Sequence, residues 1–366
     1  MTLPSVPPSD NSRLRLPEPV LRIANRGMGR VLSTLPGPAK QLLSGGRSVV
    51  IDGNTLDPSL QLFLNAYRLS GFQGLIVDGD VAASRRNLDD ATVKYAGQRA
   101  AVAVAELTIP GPAGPIPARH YHPGDGELRA LLVAYHGGGW TLGGLDGWDG
   151  FYRQICRESD VHVLSVDYRL APEHPAPAAF EDAYAAYLWA VEHAAELGAD
   201  PARVAVGGDS AGGNLAAVVA QAARDAGDPL PALQLLLYPI TDQLATTRSR
   251  TLFGAGFLLT ALDIAAFINY YLGASELDLE DPRVSPLRAA DLAGLPPALV
   301  VTAGFDPLRD EGEAYAERMR EAGVAVDLRR YRPMIHGFTN FNGFGGEVSR
   351  SIADITSALR AHLSRG

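Results

Sequence analysis

A chain of 366 residues, 46% hydrophobic and 20% charged, can bury a large core and carries none of the compositional marks of wholesale disorder. Its net charge of −9 argues against a nucleic-acid surface, and its one cysteine, Cys156, excludes an internal disulfide and reads as a plain buried thiol in a reducing, cytoplasmic compartment. No stretch reaches the ~20 apolar residues of a spanning helix, and the N-terminus lacks the basic-then-apolar order of a secretory signal.

The charge is unevenly spread. Residues 1–50 carry seven Lys and Arg against Asp10 and Glu18, a net of +5, which leaves −14 for the rest. Residues 1–17 are Pro- and Ser-rich and read as disordered. From Glu18 to Leu35, apolar residues recur at helical spacing (Val20, Leu21, Ala24, Met28, Val31, Leu32, Leu35), with Arg22, Arg26 and Arg30 on another face. Such a helix can pack over the mouth of a site or lie on an anionic membrane. Pro36 and Pro38 end it. Residues 55–100 read as helical and polar-faced, most clearly over Leu56–Leu69.

Strand signals begin near residue 101. Ala101–Ile109 and Ile116–Tyr121 flank a Gly- and Pro-rich run at 111–115, a hairpin-like connection. His120 and His122 alternate on the second strand. No carboxylate or Cys cluster accompanies them, so they read as surface residues and not as a metal pair. Short apolar runs follow at Ala130–His136, Val161–Asp167, Arg203–Gly207, Leu233–Tyr238, Ala298–Gly304 and Val324–Tyr331, alternating with helical segments such as Phe180–Leu197. This alternation predicts an α/β fold, a mostly parallel central sheet flanked by helices, with the site at the carboxyl ends of the strands. Residues 242–280 interrupt it with a loop-like stretch, Leu244–Phe257, and a helix, Ala261–Leu272, an insertion suited to a lid. A last helix spans about Val348–Leu363.

Gly208-Asp209-Ser210-Ala211-Gly212 joins a β-branched run to an Ala-rich one, Leu215–Ala223. A Gly-x-Ser-x-Gly element between strand and helix is a nucleophile elbow. It holds the serine on a strained turn beside a helix N-terminus, where N–H groups favour negative charge. Such a serine needs a base, an acid that orients the base, and donors for an oxyanion. Of eight histidines, only His336 comes just past a strand late in the sheet. Asp306, after Leu299–Thr302, is the candidate acid. It also suits a helix N-cap with Pro307 at the first helical position, and Asp310 one turn on is the fallback. His136-Gly137-Gly138-Gly139-Trp140 follows a strand directly, from a loop expected to lie outside the core, and its glycines can turn N–H groups toward a ligand. The chain lacks the Gly-x-x-x-x-Gly-Lys pattern of a nucleotide site.

Taken together, His136-Gly137-Gly138-Gly139, Gly208-Asp209-Ser210-Ala211-Gly212, Asp306-Pro307-Leu308-Arg309-Asp310 and His336-Gly337-Phe338 resemble the motifs of the bacterial hormone-sensitive-lipase-like family of α/β-hydrolase carboxylesterases. The runs 167–175 and 281–286 resemble that family's structural loops, and the resemblance spans about residues 101–366. It implies an α/β-hydrolase domain over 101–366 with a cap insertion at about 242–280, and an N-terminal segment and helical cap over 1–100. It further implies a Ser210–Asp306–His336 triad, with the backbone N–H groups of Gly138, Gly139 and Ala211 as oxyanion donors. The implied reaction is hydrolysis of small-molecule carboxylic esters of short to medium acyl length, with no cofactor or metal. A homodimer and peripheral membrane contact through residues 18–35 stay open as partners. Two other readings stand beside the enzyme. One is a ligand-binding receptor on the same fold, which would lack the base that His336 supplies here. The other is a membrane-surface protein acting through its basic N-terminal helix.

Overall fold

The computed structural model describes residues 34–124 and 126–364. The described chain opens with helix α1 (Gly37–Leu43), a ribbon of β1 (Val50–Ile51) and β2 (Asn54–Thr55), and helices α2 (Pro58–Leu69) and α3 (Val81–Tyr95). The hairpin β3 (Ala103–Gly111) and β4 (Gly114–His122) leads to β5 (Arg129–Tyr135), α4 (Leu145–Ser159), β6 (His162–Val166), α5 (Ala178–His193), β7 (Ala199–Asp209) and α6 (Ala211–Ala226). Strand β8 (Gln234–Leu237) and helices α7 (Arg248–Phe253) and α8 (Ala261–Leu272) follow. The chain closes with β9 (Ala298–Phe305), α9 (Arg309–Glu321), β10 (Val326–Ile335), a 3-10 segment (Phe338–Phe344) and α10 (Gly346–Leu363).

Eight strands pair in the order β10-β9-β8-β7-β5-β6-β4-β3, parallel from β10 to β6 and antiparallel at β4 and β3. Strands β6, β8 and β9 are buried along their whole length, as strands covered by helices on both faces must be. They therefore read as mostly apolar runs, whereas the end strand β3 is mostly exposed or half-buried.

The helix expected at 18–35 lies almost wholly outside the described residues, and α1 starts directly after Pro36, using Pro38 in its first turn. The stretch expected as a loop before α8 contains α7, capped by the Thr247 hydroxyl accepting from Arg250 N. Strand β10 runs on to Ile335, with its register broken between Tyr331 and Ile335 around Pro333, which has no N–H for the ladder. His120 is buried, not a surface residue, because β4 is sandwiched between β3 and β6. Its ring stacks against His122 and His162 at 5.2 Å each, and its Nε2 lies 3.0 Å from His162 Nδ1. Burial pushes His120 down to about 4, so the ring is neutral at pH 7. Cys156 is buried on α4, as expected.

The N-terminal helices are fastened to the rest by apolar and polar contacts. Asp57 caps α2 by accepting from Ser59 N and Leu60 N at 2.7 and 3.1 Å, with Pro58 at the first position. The apolar face of α2 puts Phe63 against Tyr95, Phe341 and Phe344, with ring centroids 5.5, 5.0 and 5.5 Å away. From α3, Arg85 donates to Thr141 O at 2.8 Å and Ala171 O at 3.0 Å and forks onto Glu173. Helix α8 opens with a Thr260/Asp263 capping box, and Asp263 Oδ1 also accepts from Leu75 N and Ile76 N at 2.9 Å each. One carboxylate thus joins two segments that are 187 residues apart in the chain. Among the described residues no helix is long and apolar enough to cross a membrane.

Candidate active site

Strand β7 ends at Asp209, and the next residue turns the chain into α6. Ser210 sits at φ +56°, ψ −116°, a backbone strain rarely tolerated by a non-glycine residue. The flanking glycines are what allow the turn: a Cβ on Gly212 would overlap Tyr135 O, and one on Gly208 would strike Tyr135 O and the Gly212 backbone. The strain points the Ser210 hydroxyl out of the sheet edge, beside the first turn of α6.

His336 follows β10 directly and Asp306 follows β9, so adjacent parallel strands deliver both side chains to the same edge. Ser210 Oγ and His336 Nε2 are 2.9 Å apart, and His336 Nδ1 lies 2.8 Å from Asp306 Oδ2. With a carboxylate on its Nδ1 side, the neutral ring carries its proton there and leaves Nε2 free to accept from the serine. Asp306 is fully buried, and its other oxygen accepts from Leu308 N at 2.8 Å. It is not the helix cap expected, because α9 starts later, at Arg309, with Leu308 at the cap position. Asp310, the fallback acid, faces away: its carboxylate takes Arg309 and the backbone N–H of Ser249.

The loop 137–139 is packed into the interior rather than lying outside the core. Gly139 sits at φ +61°, and a Cβ there would run into the ring of Phe267 on α8. His136 is wholly buried, stacked on Tyr168 at 4.4 Å, and its Nδ1 donates to Gly137 O at 2.8 Å. Burial pushes it down to about 4. The backbone N–H groups of Gly138, Gly139 and Ala211 have no acceptor among the described residues, and these three residues line one cavity with Ser210 and His336. Apolar side chains such as Phe63, Leu88, Ile264 and Phe267 form most of its wall.

Several supporting residues escaped the sequence reading. Asp209 is buried; its Oδ1 accepts from Gly137 N at 2.9 Å and Trp148 Nε1 at 2.7 Å, tying the glycine loop to the elbow. Burial pushes its carboxyl up to about 6. Its signal was visible, a charged residue closing an otherwise apolar strand, which needs donors when buried. Tyr238 packs edge-on against His336 at 4.9 Å while its hydroxyl meets Thr339 Oγ1. No signal in the sequence marks it.

In sequence and fold the chain is similar to known ester hydrolases. A family model described as the alpha/beta hydrolase fold matches residues 132–340. The carboxylic ester hydrolase LipN of Mycobacterium tuberculosis is 58% identical over 348 residues, covering 94% of this chain and 92% of that protein. The carboxylesterase NlhH of the same organism is 48% identical, over 67% of this chain and 79% of its own. Among solved structures, an ester hydrolase from the metagenome of Lake Arreo superposes with a TM-score of 0.78 at 41% identity, covering 83% of this chain and 97% of that one. A hyperthermophilic esterase of Pyrobaculum calidifontis gives 0.77 at 41% identity, over 84% and 98%. The chain belongs to the hormone-sensitive-lipase-like carboxylic ester hydrolases of the α/β-hydrolase family.

Proposed function

We propose that this chain hydrolyses small-molecule carboxylic esters of short to medium acyl length through an acyl-enzyme. Ser210 is the nucleophile, His336 the base, Asp306 the acid that orients it, and Gly138, Gly139 and Ala211 supply the oxyanion donors. His336 Nε2 takes the hydroxyl proton as Ser210 Oγ attacks the ester carbonyl carbon. The three N–H groups receive the oxygen that becomes negative, and the imidazolium gives its proton to the alcohol oxygen as the C–O bond breaks. Water then loses a proton to His336, attacks the acyl carbon and restores Ser210. Asp306 holds the His336 ring in its orientation throughout. The observation that carries this reading is the unbroken path Ser210–His336–Asp306 at 2.9 and 2.8 Å, opening on the cavity of the three unclaimed N–H groups. The test is turnover of p-nitrophenyl esters from two to sixteen carbons by the wild type and by Ser210→Ala. The variant should fold normally and lose nearly all turnover, keeping at most the ~10³–10⁴-fold advantage over water that donors and binding provide. Full turnover by Ser210→Ala would sink the assignment.

Residues 34–100 and 242–280 act as a cap over the site in this reading, since Phe63 and Leu88 from one piece and Ile264 and Phe267 from the other line the same cavity. Peripheral contact with an anionic membrane through residues 18–35 is supported by the exposure of Leu42, Leu43 and Leu69 (74%, 60% and 84%) on the elements just after them. Deleting residues 1–35 should then lower co-sedimentation with anionic vesicles; equal sedimentation would rule the contact out.

A further inference from the structure

The reaction cavity has a neighbour. Between α2 and α3 lies a second cavity that has Asp90, Lys94 and Tyr95 in its lining and shares Phe63, Tyr67, Asn87 and Ala91 with the first. The shared side chains are the wall between the two. The Tyr67 hydroxyl donates to Gly74 O at 2.8 Å, while its ring stacks on Phe72 at 5.0 Å. Apart from Ala91, the wall is made of rotatable side chains. On the reaction side the lining is mainly apolar. On the far side stands an amine: Lys94 Nζ donates to the Tyr95 hydroxyl at 2.9 Å and lies 4.6 Å above that ring. No carboxylate among the described residues comes within the 4.0 Å of an ion pair to Lys94, and Asp90, one turn back on α3, lines the same cavity without pairing with it.

We propose that the second cavity is the distal end of the substrate site, and that the arm of the ester passes the Tyr67–Asn87 wall and ends in a carboxylate on Lys94. The proposal rests on the ester-hydrolase reading above. A methylene chain suits the aromatic faces of Phe63, Tyr67 and Phe72, and an anionic end suits a polar mouth with an unpaired amine. The substrate class is therefore monoesters of dicarboxylic acids, cleaved to an alcohol and the dicarboxylic acid, with the bond broken at Ser210 and the free carboxylate held at the far end.

The experiment measures kcat/KM for p-nitrophenyl monoesters of dicarboxylic acids of six to twelve carbons, beside p-nitrophenyl alkanoates of equal length, with the acetate ester as the control for ester hydrolysis itself. The readout is the ratio of carboxylate-ended to methyl-ended ester at each length. Both are read on one preparation, so the ratio does not depend on how much of a variant is folded. The ratio should rise at the length that passes the wall. Lys94→Gln should lower it there about three- to fivefold, the scale of a solvent-accessible ion pair, and Lys94→Arg should keep it. Asp90→Asn should raise it, because a like charge leaves the same cavity. A ratio flat across all lengths, or one that Lys94→Gln leaves unchanged, overturns the distal subsite while acetate turnover upholds the esterase. Absence of acetate turnover by the wild type overturns the esterase reading and the subsite with it.

Discussion

Three aspartates within reach of the sheet's carboxyl edge do three different things, and their surroundings separate them. Asp306 meets His336 Nδ1 at 2.8 Å, whereas Asp310, four residues on, is spent on Arg309 and Ser249. Asp306→Asn should cost about 10⁴ in kcat by leaving His336 in the wrong tautomer, and Asp310→Asn less than about tenfold. Equal losses in steady-state assays would reassign the acid. Asp209 holds no proton-transfer position, yet its oxygen binds both the glycine loop and Trp148. Its carboxyl is pushed from an ordinary 3.8 up to about 6 by burial, so the folded protein binds this proton more tightly than the unfolded chain. Between those two values the contribution of this group to stability falls as pH rises. Asp209→Asn keeps an acceptor for both donors and should flatten that part of the Tm-against-pH curve; an unchanged slope would place the titration elsewhere. In the sequence, Ser210, Asp306 and His336 were legible because each follows an apolar run, and chemistry limits the residue types able to serve. Asp209 carried a signal, a charge closing an apolar strand, but its partners Gly137 and Trp148 are brought near only by the fold, and Tyr238, which meets Thr339, carried none.

Short strands and long helices were legible as elements because burial on both faces leaves continuous apolar runs and burial on one face leaves a helical period. What the sequence left hidden were contacts between elements. Gly139 reads as part of a free loop until α8 brings Phe267 against it. A side chain there should therefore damage two things at once: Gly139→Val should lower turnover about 10²–10³-fold by displacing a donor and should also depress Tm, measured by melting beside one short ester. Normal melting with lost turnover would show that the loop yields without disturbing α8. Asp263 is the other inter-element device. Asp263→Ala removes the capping box of α8 and the acceptor for Leu75 N and Ile76 N. It should cost about 1–3 kcal/mol and raise KM for long esters more than for acetate. An unchanged chain-length profile would detach the two cap pieces from substrate choice.

At the scale of the whole molecule, the alternation of strands and helices and the order Ser210, Asp306, His336 along the chain were enough to read the parallel sheet and the site's edge. The strand order was beyond reach, since nothing in β5 says that it lies between β6 and β7. The N-terminal third was the least legible, because its helices take their meaning from surfaces made elsewhere. Phe63 on α2 is the clearest case, with Phe341 and Phe344 as its neighbours. Those partners are 278 and 281 positions later in the chain. During synthesis at 5–20 residues per second, the apolar face of α2 stays without its cover for on the order of 15–60 s. A chaperone would shield such a face during synthesis, and ribosome-bound chains halted before Phe341 should expose Phe63 to hydrophobic capture that full-length chains escape.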